Sequence, residues 1–76
     1  MKLRLELTFS GELKNEPIIW YLGNHFRLVF NIVEASFSTE VGWVILILEG
    51  EDEELEKACD YLRSKKVTIE RIERVA

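Results

Sequence analysis

Residues 28–50 read LVFNIVEASFSTEVGWVILILEG, and this stretch decides the fold. In Trp43-Val44-Ile45-Leu46-Ile47-Leu48 both alternation classes are apolar, so neither face of a strand over 42–49 is suited to water. The residues before it, 28–38, carry a second strand pattern. Between the two, Ser38-Thr39-Glu40-Val41-Gly42 is a short turn with glycine at its end. The stretch therefore predicts a hairpin of two long strands. One face must meet the chain's own helices, and the other requires a partner or a ligand.

Alternation assigns side chains to those faces. In the first strand Val29, Asn31, Val33, Ala35 and Phe37 are expected toward the helices, with Leu28, Phe30, Ile32, Glu34, Ser36 and Ser38 on the far side. In the second strand Val44, Leu46 and Leu48 are expected in the core and Trp43, Ile45 and Ile47 opposite. Phe30, Ile32, Trp43, Ile45 and Ile47 are thus expected to form one apolar patch on the open face, the expected dimer interface.

Outward from the hairpin, Leu3, Leu5, Leu7 and Phe9 alternate with Lys2, Arg4, Glu6 and Thr8, which predicts a half-buried strand over 2–10. Ser10-Gly11-Glu12 breaks that pattern. Asn15-Glu16-Pro17 opens a helix over 16–26, with Asn15 or Glu16 in the cap region and proline in the first turn. Ile18, Leu22 and Phe26 make its apolar stripe; Gly23, in mid-helix, costs about 1 kcal/mol relative to alanine. Beyond the hairpin, Glu51-Asp52-Glu53-Glu54 complement the positive end of a helix dipole, and Leu55, Ala58, Cys59 and Leu62 form a buried stripe in a helix over 52–65. Val67, Ile69, Ile72 and Val75 read as a last strand whose phase changes after Ile69, the mark of a bulge or a frayed end. The order β-α-β-β-α-β predicts an α+β, ferredoxin-like βαββαβ sandwich: a four-stranded antiparallel sheet with two helices on one face.

The 76 residues, taken as a single domain over 1–76, are few enough that one core is marginal and self-association would help it. The net charge of −4 is mixed along the chain, and no basic stripe marks a nucleic-acid surface. No segment has the ~18 uninterrupted apolar residues of a membrane span, and Met1-Lys2-Leu3-Arg4-Leu5 lacks the apolar core of an export signal. Direct membrane insertion is therefore not expected. With Cys59 as the one cysteine, the chain makes no internal disulfide and no multi-cysteine metal or cluster site; a reducing, cytoplasmic setting is expected, without metal or other cofactor.

Asn31-Ile32-Val33, preceded by Pro17-Ile18-Ile19, Leu22 and Phe26 and followed by Gly42, Gly50, Ala58, Tyr61-Leu62 and Val67-Thr68-Ile69-Glu70, resembles the NIL domain family over about residues 3–72. That family is similar to ACT domains in fold. The resemblance implies a regulatory domain of the kind found at the C-terminus of methionine-importer ATPases, pairing into homodimers and binding L-methionine, or fused to ferredoxin-type domains in sulfur metabolism, or free-standing. It implicates Asn31 and its strand neighbours Phe30, Ile32 and Val33 in an amino-acid site near the dimer interface. Three departures stand out. Val33 replaces the Leu of the family's name triplet, and Lys66 stands where a helix-ending Gly is common, so a left-handed residue there would be strained. The chain also carries neither a phosphate-binding loop nor a cluster-binding cysteine set, so the importer's own role is not inherited with the domain.

Two readings stand for each candidate residue. The Asn31 carboxamide either holds the carboxylate or ammonium of an amino acid or satisfies backbone groups at a strand end. Phe30, Ile32, Trp43 and Ile45 either line a pocket for a thioether side chain or hold two sheets together. His25 reads as a surface histidine, Cys59 as an inert buried thiol, and the 51–56 acidic run as a solvated helix start. No base-activated nucleophile or acid-base pair is visible, so no catalytic residue is assigned and the chain is not expected to be an enzyme. The expected function is non-catalytic sensing of a small amino acid by a homodimer, with a transporter or sulfur-metabolism protein as partner. The alternative is a ligand-free adaptor domain in a sulfur-metabolism or electron-transfer complex.

Overall fold

The computed structural model describes residues 1–10, 17–38 and 40–75. Strand β1 (Lys2–Ser10), helix α1 (Ile18–His25), strands β2 (Val29–Phe37) and β3 (Val41–Glu49), helix α2 (Asp52–Ser64) and strand β4 (Thr68–Val75) follow in that order. The strands form one antiparallel sheet in the order β2-β3-β1-β4. This is the βαββαβ arrangement of an α+β, ferredoxin-like fold.

Leucines and valines of the two central strands build the core. Leu5, Leu7 and Phe9 of β1 and Val44, Leu46 and Leu48 of β3 face Ile18 and Leu22 of α1 and Leu55, Ala58, Cys59 and Leu62 of α2. Both helices therefore cover the same face of the sheet. Pro17 stands at the N-cap of α1; the expected Asn15 and Glu16 caps and the Gly11-Glu12 break lie outside the described residues. Phe26, expected on the helix stripe, follows α1 as its C-cap and packs at the core's edge.

Gly23 is explained by Phe30. A Cβ built at Gly23 would sit 2.5 Å from Phe30 Cε1, so the glycine lets the Phe30 ring lie against the helix backbone. Gly42 does the same for Phe37, whose ring covers the glycine across the hairpin and approaches Phe9 at 5.9 Å between centroids. The turn between the two strands is held by Ser38. Its N–H donates to the Val41 carbonyl at 2.9 Å, and its hydroxyl oxygen accepts the Val41 N–H at 3.2 Å.

Two bulges interrupt the ladders. On β4 the register slips between Glu6↔Arg71 and Leu7↔Ile69, leaving Glu70 extra; this is the phase change legible after Ile69. On β2 the slip falls between Ile32↔Leu46 and Glu34↔Ile45, leaving Val33 extra. The second bulge corrects the expected faces. Before it, Phe30 and Ile32 pair with Leu48 and Leu46 and so lie on the helix face, while Val29 and Asn31 pair with Glu49 and Ile47 on the open face. After it, Ala35 and Phe37 lie on the helix face and Glu34 and Ser36 on the open face, as alternation predicts. Phe30 and Ile32 are thus not part of an open-face patch; Phe30 packs against the core.

Candidate ligand and partner surface

The face of the sheet away from the helices is divided by strand. On β3, Trp43, Ile45 and Ile47 form an apolar stripe, with Trp43 37% exposed and the two isoleucines half-buried. On β2, Val29 and Asn31 flank that stripe, with Asn31 beside Ile47. The β1 and β4 side is polar. There Glu6 accepts from Arg4 at 2.9 Å and lies 4.0 Å from Arg71, which also pairs with Glu73. These ion pairs are part-exposed and stabilise little, but they keep one half of the face wet and leave the other half apolar.

The predicted site residues do not all converge. Trp43 stands four residues along β3 from Ile47, the partner of Asn31, so Asn31 and Trp43 are separated by about 13 Å at the ~3.3 Å rise of a strand residue. The residues brought beside Asn31 on the open face are Ile47, across the β2–β3 ladder, and Val29, two positions along β2. Trp43 and Ile45 instead border a separate depression of about 370 Å³ with Glu6, Thr8 and Glu70. Val29 was expected on the helix face, and Ile47 was expected at the dimer interface and not beside Asn31. Apart from Asn31, both classes of the 28–33 alternation are apolar, so the residues themselves do not mark where the phase slips.

Edge strand β2 is the most exposed part of the molecule. Every described residue from 31 to 38 is exposed, including Ile32, Val33 at 54% and Phe37 at 60%. The opposite edge, β4, carries Glu70, Arg71, Glu73 and Arg74 and its own bulge, devices that discourage pairing of a free edge.

The helix layer holds a ladder of rings. Tyr21 stacks on His25 at 3.8 Å and on Tyr61 at 4.3 Å, and Trp20 meets His25 edge-on at 5.7 Å. His25 is therefore an exposed ring partner on the layer opposite the sheet's open face. Cys59 is buried between α2 and the sheet, and burial pushes its thiol above the usual range, away from the reactive thiolate. At the start of α2, the Arg27 N–H donates to Glu54 Oε1 at 2.9 Å and Lys57 lies 3.1 Å from Oε2; together they hold the Glu54 carboxyl below the usual carboxylate range. Among the described residues no three His, Cys, Asp or Glu side chains are placed to hold a metal ion, and no helix is long and apolar enough to cross a membrane.

Comparison with known proteins places this architecture. The chain is 30% identical over 70 residues to the methionine import ATP-binding protein MetN of Halalkalibacterium halodurans, a match that covers 87% of this chain and 21% of that protein. It is 29% identical over 72 residues to the protein of the same name from Lacticaseibacillus paracasei, covering 90% of this chain and 21% of the relative. The chain therefore spans about a fifth of the length of these curated relatives. Its fold is similar to that of the C-terminal domain of an ABC transporter ATP-binding protein from Enterococcus faecalis, with a TM-score of 0.69 at 23% identity, over 91% of this chain and 81% of that one. The NIL domain profile matches residues 3–71, and with nearly the whole described fold inside that match, the chain belongs to the NIL domain family.

Proposed function

We propose that this chain is a non-catalytic regulatory module that binds a small amino acid, L-methionine before others, and acts as a cytoplasmic homodimer. The observation that carries the reading is the position of Asn31: an exposed carboxamide on the open face, set beside Val29 and Ile47. A carboxamide donates to a carboxylate through its NH₂ and accepts from an ammonium through its oxygen, so one side chain suits both ends of an amino acid backbone. The aliphatic neighbours suit an unbranched apolar side chain such as a thioether. Two relatives are named as methionine import ATP-binding proteins, which favours methionine as ligand and a transporter ATPase as the protein regulated. A free-standing member would instead report to a sulfur-metabolism enzyme. The absence of catalysis is supported by the burial of Cys59 and by the stacking of His25 on the opposite layer, which leave neither group beside Asn31.

Calorimetric titration with L-methionine, homocysteine and cysteine tests this. Methionine is expected to give saturable heat, and at a hundred times its Kd to raise stability by about 2.7 kcal/mol. Asn31→Ala should weaken binding by about tenfold or more while leaving the melting temperature nearly unchanged, since Asn31 is exposed. If none of the three compounds gives heat or thermal stabilisation, the sensor reading fails and a ligand-free adaptor remains.

A further inference from the structure

The open face also holds a depression away from Asn31, of about 370 Å³, bordered by Trp43 and Ile45 of β3, Glu6 and Thr8 of β1 and Glu70 of β4. Two rows of cross-strand neighbours lay it out. Thr68, Thr8, Trp43 and Ser36 form one row across the sheet, and Arg71, Glu6, Ile45 and Glu34 form the next. Glu70 belongs to neither, because it is the extra residue of the β4 bulge that falls between them. In an uninterrupted ladder residue 70 would face Leu7 and share the helix side of the sheet with it. The bulge frees Glu70 from that position, and it borders the open-face depression instead. The irregularity on β4 therefore does more than blunt an edge: it adds a carboxylate beside an aromatic ring.

The lining is chemically one-sided. Trp43, 37% exposed, and the half-buried Ile45 offer an indole ring and an aliphatic surface. Glu6 and Glu70 add two carboxylates, and Thr8 adds a hydroxyl that donates or accepts. A ring face and a carboxylate both attract a cation and repel an anion. The arginines of this half of the face are already engaged, Arg4 by Glu6 at 2.9 Å and Arg71 by Glu73, and neither borders the depression. Glu70, by contrast, is in no ion pair among the described residues. A ligand that carries a carboxylate finds no free cation here. An amine without one finds a counter-ion in Glu70 and hydrocarbon in Trp43 and Ile45.

From this we infer that the depression is a second ligand site, which binds a primary alkylamine lacking a carboxylate. Its ammonium lies between Glu70 and Glu6, and its hydrocarbon arm lies on Trp43 and Ile45. All of these residues belong to one copy, and Trp43 stands about 13 Å from Asn31 at the strand rise, so the site depends on neither the amino-acid reading nor the homodimer.

Chemical-shift mapping on the isotopically labelled whole chain tests the site, with n-pentylamine as the probe. Saturable movement of the Thr8 and Glu70 amide signals and of the Trp43 indole N–H is expected. The affinity should fall as salt is raised, since the charges involved are at least partly exposed. Glu70→Gln, an exposed and nearly isosteric change, should weaken binding about two- to fivefold. Trp43→Leu, which keeps an apolar side chain but removes the ring, should do so to a similar extent of about two- to fivefold. Asn31→Ala should leave amine binding intact, so that failure of this site and failure of the amino-acid site are read separately. The absence of saturable shifts at Thr8, Glu70 and Trp43, an equal affinity for n-pentanoate, or an unchanged affinity in Glu70→Gln would each overturn the proposal. Tighter binding of Nα-acetyl-lysine methylamide than of n-pentylamine would assign the depression to a lysine side chain of a partner protein and would equally overturn the free amine.

Discussion

Lys66 leaves helix α2 with φ of 63°, in the left-handed region that costs a side-chain-bearing residue about 1–2 kcal/mol. Its N–H donates to the Arg63 carbonyl and the Val67 N–H to the Leu62 carbonyl, both at 3.2 Å, while buried Val67 and Leu62 sit on the two sides of the turn. This is the Schellman arrangement, normally occupied here by glycine, so the surrounding bonds impose the conformation on a lysine. Lys66→Gly should therefore stabilise the chain by about 0.5–1 kcal/mol, after the greater chain entropy of unfolded glycine is counted. Thermal unfolding should register that as a rise of several degrees; a fall would show the strain to be absent. Gly23 is the converse case. Gly23→Ala improves helix propensity by about 1 kcal/mol, yet its Cβ would meet the Phe30 ring, and Phe30 is wedged under the helix. Net destabilisation in denaturant titration is expected, and Phe30→Leu in the same background should relieve it. Glu54 supplies a pH dependence. Its folded-state pKa is lowered, first by the Arg27 N–H and then by Lys57, so its contribution is present above the ordinary carboxylate range and is lost as pH falls through the folded value. Glu54→Gln should flatten the acid side of the stability profile measured by denaturation at stepped pH.

At the level of elements, β3 is the strand on which the two halves of the molecule meet. Val44, Leu46 and Leu48 are buried under the helices and Gly42 under the Phe37 ring, while the odd-numbered residues lie on the open face between strands of different character. Ile45 shows the consequence. Its cross-strand neighbours are Glu6 on β1 and Glu34 on β2, so Ile45→Asp would place three carboxylates in a row, whereas Ile45→Lys would stand between two acids. The aspartate variant should be the less stable by about 1 kcal/mol in chemical denaturation; equal stabilities would mean that the side chains do not meet as the register indicates. The same strands show why one bulge was legible and the other was not. On β4 the residues around the slip, Ile69-Glu70-Arg71-Ile72, contrast apolar with charged, so a break in period shows directly. On β2 the residues before the slip are apolar in both classes except Asn31, and a shift of one residue leaves the pattern looking intact.

At the scale of the whole molecule, a 76-residue chain with a single core buries on the order of 60% of the surface its unfolded form exposes, so association contributes a larger share of stability than in a bigger domain. For the homodimer proposed above, the melting temperature should rise with protein concentration in a dilution series followed by thermal unfolding, and a melting temperature independent of concentration would mark a monomer. What the residues alone determined is the element order, the buried leucines of β1 and β3, the stripes of both helices, the bulge on β4, the strained end of α2 and the family. The elements, the buried residues and the change of phase on β4, read as a bulge or a frayed end, rest on local periodicity; the family and the strained end of α2 rest on the resemblance to the NIL domain family. Only the tertiary structure decided which face Asn31, Phe30 and Ile32 occupy, that Trp43 stands four residues along β3 from the partner of Asn31, and that β2 is exposed along nearly its whole length. Those facts depend on the pairing register between strands, and where both alternation classes are apolar, register is set by the cross-strand partners and by Phe30 filling the space under Gly23.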